Sequence, residues 1–175
     1  FCAITNGITH RRFLYGANPE LSELISAKIG EKWVLQPLGL KEFEKYAGKS
    51  DVQDALRHIR AQKKKALAAY IRDNNGILVN EASNFDVQVK SLHEYKRQLL
   101  NILHVMYLYN QLKENPNLPI QPRTFIFAAK AAAAYNMAKL IIKLINTVAD
   151  KVNGDRLVQD KLKVVFLENY RVSLA

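Results

Sequence analysis

The feature that most constrains the fold is a switch between two periodicities after residue 80. "FDVQVK" sets Phe85, Val87 and Val89 on one side and Asp86, Gln88 and Lys90 on the other, which is the two-residue period of a β-strand. Directly after it, Ser91 and Glu94 have the S-x-x-E spacing of a capping box. Leu92, Tyr95, Leu99, Leu103 and Met106 then recur at helical spacing to about Glu114. "NPNLPIQP" is a turn-rich connector, "RTFIFAAK" a short apolar strand, "AYNMAKLIIKLINTVADKV" a helix stopped at "NGD", and "LKVVFLENY" a third strand. Strand, long helix, strand, long helix, strand predicts right-handed crossovers onto a parallel sheet, hence the α/β class.

The segment upstream, residues 1–79, is read as a loop followed by helices, and residues 80–175 as the β-α-β-α-β part. In "NPELSELISAKIG" Asn18 can cap, Pro19 suits the first helical position and Gly30 the stop. "LKEFEKYA" starts a second helical stretch near Leu40, a basic helix follows from about Val52 to Asp73, and "NNG" at Asn74 to Gly76 breaks it. The chain starts without Met and stops soon after Tyr170, while a parallel sheet needs helices on both faces. A piece of a larger α/β protein is therefore expected, with nothing to cover the last strand and its exposed edge a route to self-association.

Apolar residues make up 49% of the 175, enough for one sizeable core, and no apolar run approaches the length of a membrane span. The opening "FCAITNGITHRRFL" lacks the pattern of a signal peptide, so a soluble cytoplasmic protein is expected. The lone Cys2 has no Cys or His neighbours at metal spacing, and no metal site is read from the chain. A net charge of +10 invites a nucleic-acid reading. Much of that charge lies in "RHIRAQKKKALAAYIR", where Leu56, Ile59, Ala66, Leu67, Tyr70 and Ile71 form an apolar stripe and Lys63 to Lys65 face elsewhere. A solvated helix face accounts for it, and no nucleic-acid motif accompanies it.

Ligands of open parallel sheets bind beyond the carboxyl ends of the strands, near helix N-termini. All three predicted strands end there on cationic or polar residues: Lys90 with His93 and Lys96, then Lys130, then Asn169, Tyr170 and Arg171. Cations at a helix start oppose its macrodipole, which makes sense where an anion offsets them. The plainer alternatives are surface lysines, Ser91 as a cap, Tyr95 as a core aromatic, a solvated or paired Arg97, and His58 and His104 as packed or surface residues. Composition and spacing reach an anion-binding sheet edge and stop.

Four strings, "ITNGITHRRFL", "FDVQVKSLHEYKRQLLNILHV", "PRTFIFAAKAAAAYNMAKLIIKLIN" and "DKLKVVFLENYRVSLA", closely resemble the α-glucan (glycogen, starch or maltodextrin) phosphorylases, in the family's order and nearly end to end. The resemblance implies a partial Rossmann-like parallel sheet with flanking helices, cut from a glycosyltransferase-B architecture across the start of its C-terminal domain. It implies phosphorolysis of a terminal α-1,4-linked glucose to α-glucose 1-phosphate, assisted by the phosphate group of pyridoxal phosphate. Lys90 would contact the cofactor phosphate, Lys96 the substrate phosphate, and Tyr95 the glucosyl unit or nearby phosphate. Asn6 would hydrogen-bond the glucosyl group, although Asn-Gly is also a plain turn signal. Phe13 and Tyr170 would lie close to the cofactor ring.

The family pattern K-R-x-H-E-Y-K has Ser91 in place of Arg, K-A-A-P-G-Y has Ala133 and Ala134 in place of Pro-Gly, and the usual Trp and Pro near the start are Phe13 and His10. A hydroxyl lacks the bidentate grip of a guanidinium, and the alanines are expected to let the following helix start earlier. The Schiff-base lysine, a later carboxylate and the glucan-binding N-terminal domain of the family are expected outside this chain. On that reading these 175 residues are inert alone, and the full-length enzyme, an allosteric glycosyltransferase of glycogen metabolism and a homodimer, acts on α-1,4-glucan and inorganic phosphate. The alternatives are a sugar-nucleotide glycosyltransferase, a basic nucleic-acid-binding module and a degenerate non-catalytic paralogue.

Overall fold

The computed structural model describes residues 9–158 and 160–168. The chain divides into two compact units, Phe1–Lys64 and Lys65–Ala175.

In the first unit a π-helical stretch, Arg11–Gly16, leads to α1, Pro19–Ile29. The start of α1 follows the expected chemistry: Asn18 Oδ1 accepts a hydrogen bond from the Leu21 N–H at 3.3 Å, and Pro19 fills the first position. Gly30 ends it at φ 74°, a left-handed value that costs glycine little. Trp33 is buried, donating its indole N–H to Ser26 Oγ at 3.1 Å and meeting the Tyr15 ring edge-on at 5.9 Å. The predicted helix at "LKEFEKYA" is a 3-10 helix, Pro37–Tyr46. The basic helix is α2, Ser50–Asn75, whose residues from Lys65 onward belong to the second unit, and Gly76 breaks it at φ 66°. Within this unit its Lys63 pairs with Glu20, and Asp51 pairs with Lys28.

The second unit holds the sheet: β1 Asn84–Val89, β2 Arg123–Ala128 and β3 Leu162–Leu167, all parallel in the order β1-β2-β3. Between them lie α3, Gln98–Glu114, and α4, Asn136–Asn153. The register sets Val87 beside Ile126 beside Val165, and Gln88 beside Phe127 beside Phe166. Alternation then sorts the side chains between two cores. On one face Phe125, Phe127, Leu162 and Val164 pack with Ile102, Val105 and Leu112 of α3 and Ala138, Ile141 and Ile145 of α4. On the other, Ile126, Ala128, Val165 and Leu167 pack with Leu67, Tyr70 and Ile71 of α2 and with Phe85 and Val89. Central β2 is apolar on both faces, as a covered parallel strand must be, and burying a Phe side chain contributes roughly 1.5–3 kcal/mol.

The two outer strands end the sheet differently. Along β3 several of the outward groups are met from within the unit. Leu162 N–H donates to the Val158 carbonyl at 2.9 Å, Val164 exchanges bonds with the Asn153 side chain at 3.0 and 2.7 Å, and Asn75 Nδ2 donates to the Phe166 carbonyl at 3.1 Å. The carboxamide of Asn153 thus takes the place of a neighbouring strand. Along β1, where Asn84 and Lys90 point their N–H groups at β2, Val87 and Val89 turn theirs outward, and among the described residues nothing bonds them. The sequence led to an expectation of a bare edge on the last strand; among the described residues the unbonded N–H groups of Val87 and Val89 lie instead on β1.

Candidate functional site

The carboxyl edge of the sheet is where the expected cations converge, and the local backbone explains how. The chain does not enter a helix at Ser91. It continues beside the extension of β2, with Lys90 N–H bonded to the Ala128 carbonyl at 3.1 Å and Leu92 N–H to the Lys130 carbonyl at 3.0 Å. A single 3-10 turn, Glu94–Lys96, follows, and Arg97 at φ 61° reverses direction before α3 begins at Gln98. The capping box expected from Ser91 and Glu94 is therefore absent. Leu92 is buried against the sheet core, which removes it from the helical stripe predicted through Tyr95 and Leu99. Tyr95 is 77% exposed and not a core aromatic, and Leu99 and Leu103 face outward while Ile102 and Val105 face in.

This reversal builds an open groove of about 520 Å³ lined by Val87, Gln88, Val89, Lys90, Tyr95, Lys96 and Arg97. None of those residues is acidic. Lys90, Lys96 and Arg97 have no carboxylate within ion-pairing distance among the described residues. Lys96 Nζ lies 5.7 Å from the Tyr95 ring centroid, a cation–π distance that holds the ammonium by the groove without neutralising it. The first turn of α3 adds the positive end of its macrodipole.

Three polar side chains hold the two arms of the groove. Gln98, 1% exposed, donates its amide to the Lys90 and Ser91 carbonyls, each at 3.3 Å, while its Oε1 is buried without a partner. Gln88 donates to the Lys96 carbonyl at 3.0 Å, and Asn101 donates to Gln88 Oε1 at 2.8 Å. Behind Tyr95 the His93 ring stacks at 5.5 Å and meets Tyr135 at 5.9 Å. The Tyr135 hydroxyl donates to Glu94 Oε2 at 2.6 Å, which pushes its pKa up. Glu94 is thus engaged away from the lysines.

The structure brings Lys90, Tyr95 and Lys96 of the predicted set to one groove and adds Arg97, which the sequence left as solvated or paired. Phe13 belongs to the first unit and is 52% exposed. Asn6, Asn169, Tyr170 and Arg171 lie outside the described residues. Lys130 is exposed at the end of β2, and His104 meets Phe125 edge-on at 6.0 Å in a packing contact. The expectation that Ala133 and Ala134 let the next helix start early is not met. Tyr135 N–H bonds to the Ala132 carbonyl at 3.0 Å, so a tight turn persists and α4 begins at Asn136. Sequence reasoning missed Gln88, Gln98 and Asn101. Gln88 carried a weak signal as a long amide in the middle of a strand.

No helix among the described residues is long and apolar enough to cross a membrane, and none of their His, Cys, Asp and Glu side chains cluster as metal ligands do. The family model for carbohydrate phosphorylase matches residues 1–175. The chain is 55% identical to the glycogen phosphorylase of Bacillus subtilis over 171 residues, which is 98% of this chain and 21% of that protein. It is 49% identical to the Chlamydia pneumoniae glycogen phosphorylase over 175 residues, 100% of this chain and 21% of the relative. Against the liver form of Homo sapiens it is 49% identical over 171 residues, 98% of this chain and 20% of the relative. The chain therefore spans about a fifth of the length of these relatives. The matches give no support to a nucleic-acid-binding module or a sugar-nucleotide enzyme, and a family model matched over the whole length settles kinship: the chain belongs to the carbohydrate phosphorylase family.

Proposed function

We propose that the full-length protein carrying this chain is a pyridoxal-phosphate-dependent glycosyltransferase that removes the terminal glucose of an α-1,4-glucan with inorganic phosphate. The bond from C1 to the glycosidic oxygen breaks, a bond from C1 to a phosphate oxygen forms, and the phosphate's proton passes to the departing 4-oxygen. The products are α-glucose 1-phosphate and a glucan shorter by one unit. The observation that carries this reading is the groove of Lys90, Lys96 and Arg97 with no acidic residue along it, at the carboxyl edge of a parallel sheet.

That donor set fits phosphoryl groups. Two unit charges of one sign about 4 Å apart repel by about 4 kcal/mol at an effective dielectric near 20, so holding a cofactor phosphate beside a substrate phosphate requires converging cations. When bound, pyridoxal phosphate supplies a phosphate group able to exchange a proton with the substrate phosphate. Lys90 holds the cofactor phosphate and Lys96 the substrate phosphate, each by charge-assisted hydrogen bonds. Both ammonium groups balance the anionic side of an oxocarbenium-like transition state. The exposed Tyr95 ring offers a face and a hydroxyl to the glucosyl unit. By the family resemblance Asn6 would hydrogen-bond that unit, and Phe13 and Tyr170 would lie close to the cofactor ring. The full-length protein works in the cytoplasm as a homodimer, and residues 1–175 alone are inactive.

The test is phosphate-dependent release of glucose 1-phosphate from maltodextrin by the full-length protein, alongside its cofactor absorbance. Lys96→Ala should raise the phosphate KM by about tenfold to a hundredfold while the cofactor stays bound. A cofactor-loaded protein without phosphorolysis at saturating phosphate would instead establish the degenerate paralogue, the reading that Ser91 in place of Arg favours.

A further inference from the structure

We propose that Gln88, with Asn101 behind it, is the positioning residue that sets where Lys96 stands against Lys90, and so sets the protein's affinity for substrate phosphate. The inference rests on the reading of Lys96 as the substrate-phosphate ligand. Lys90 and Lys96 arrive at the groove by unlike routes. Lys90 follows directly from β1, and its N–H is bonded to the Ala128 carbonyl, so its backbone is fixed by the sheet. Lys96 closes a one-turn 3-10 helix on a connection that leaves the sheet, and the next residue, Arg97, occupies the left-handed region. Such a turn has little rigidity of its own.

Its tie to the sheet is the Gln88 side chain. Gln88 stands one register step before the end of β1, across from Phe127, and it reaches to the Lys96 carbonyl at 3.0 Å. The amide is itself oriented, because Asn101 Nδ2 donates to Gln88 Oε1 at 2.8 Å and so directs the Gln88 NH₂ at the carbonyl. Asn101 is in turn seated on the first turn of α3, its N–H bonded to the Arg97 carbonyl at 3.2 Å. The three form one chain of bonds from strand to helix to turn. Removing Gln88 frees the Lys96 carbonyl from the sheet, and removing Asn101 takes away the bond that orients the Gln88 amide, so either change loosens the backbone from which the Lys96 side chain reaches the groove.

Both residues act through Lys96, and that distinguishes the proposal from a general structural role. In the full-length protein, Gln88→Ala and Asn101→Ala should each raise the phosphate KM by about tenfold with kcat changed less than about threefold, and in a Lys96→Ala background neither should raise it further. Asn101→Ala lies outside the sheet and carries the experiment if Gln88→Ala does not fold. Effects that multiply with Lys96→Ala would overturn the proposal, as would an unchanged phosphate KM in both single variants. An unchanged phosphate KM in Lys96→Ala alone would overturn the Lys96 assignment first and this inference with it. A normal Lys96→Ala effect beside silent Gln88 and Asn101 variants would remove only the inference.

Discussion

The two ends of α3 carry similar residues in opposite arrangements. At the C-terminal end Lys113 Nζ lies 2.8 Å from Asp155, which also accepts bonds from the Tyr109 hydroxyl at 2.7 Å and the Leu157 N–H at 3.0 Å. The charge is balanced within the unit, and Lys113 sits where the helix dipole favours a cation. At the N-terminal end Lys96 and Arg97 stand with Lys90 where the dipole opposes them, with no carboxylate in ion-pairing reach among the described residues. Charge that serves the fold is met by the fold. Charge left unmet is open to something that is not part of it.

The strongest way to break this comparison is to give the open end a carboxylate. Lys96→Glu should lower kcat/KM for phosphate in the full-length protein by about a hundredfold or more, while the thermal midpoint stays within about 2 °C of the parent. A midpoint that fell sharply would mean that the groove cations are structural after all.

The reverse experiment targets the closed end. Asp155→Asn should lower the thermal midpoint by more than Asp54→Asn on the exposed face of α2, with phosphate kinetics unchanged. The Lys113 ammonium first, then the Tyr109 hydroxyl and the Leu157 N–H, hold the Asp155 pKa down at about 2, against an ordinary 3.8. A lowered folded-state pKa stabilises above the ordinary value and loses that stabilisation as pH falls toward 2. Acid titration of stability should therefore be shallower between those values in Asp155→Asn, and identical slopes would show that the cluster contributes nothing.

Ser91→Arg sharpens the comparison from the other side, by adding a fork-shaped cation beside the groove. It should lower the phosphate KM by about threefold to tenfold, and an unchanged value would remove Ser91 from the account of phosphate affinity. The smallest effect is expected at Gln98→Met. It deletes two long bonds to carbonyls of exposed residues together with a buried, unpartnered oxygen, so chemical denaturation should show stability within about 1 kcal/mol of the parent. A loss several times larger would mean that the Lys90 arm depends on its amide as the Lys96 arm does.

The strands were legible because alternation and apolar runs report pleat and double-sided burial directly. β2 and β3 reach burial on both faces with few polar interruptions, and β1 alternates because it carries Asp86 and Gln88 at the sheet margin, where they pair with Arg123 and with Asn101 of α3. α1 was legible because cap, first-turn Pro and terminal Gly each act locally. α3 was legible as a helix and illegible in phase. Leu99, Leu100, Ile102, Leu103, Val105 and Met106 leave no polar face from which to set it, and its predicted stripe was counted from Leu92, a residue still in extended chain. The lysines could be read because their neighbours form recognisable strings. Asn101 and Gln98 could not, and Gln88 only faintly, because an amide that organises a turn differs from a surface amide only in what the chain brings to it.

The side chains of Asn153 and Asn75 along β3 have one further effect. Each occupies backbone groups that a further strand would have to bond, so a strand could join β3 at Val164 and Phe166 only by displacing them.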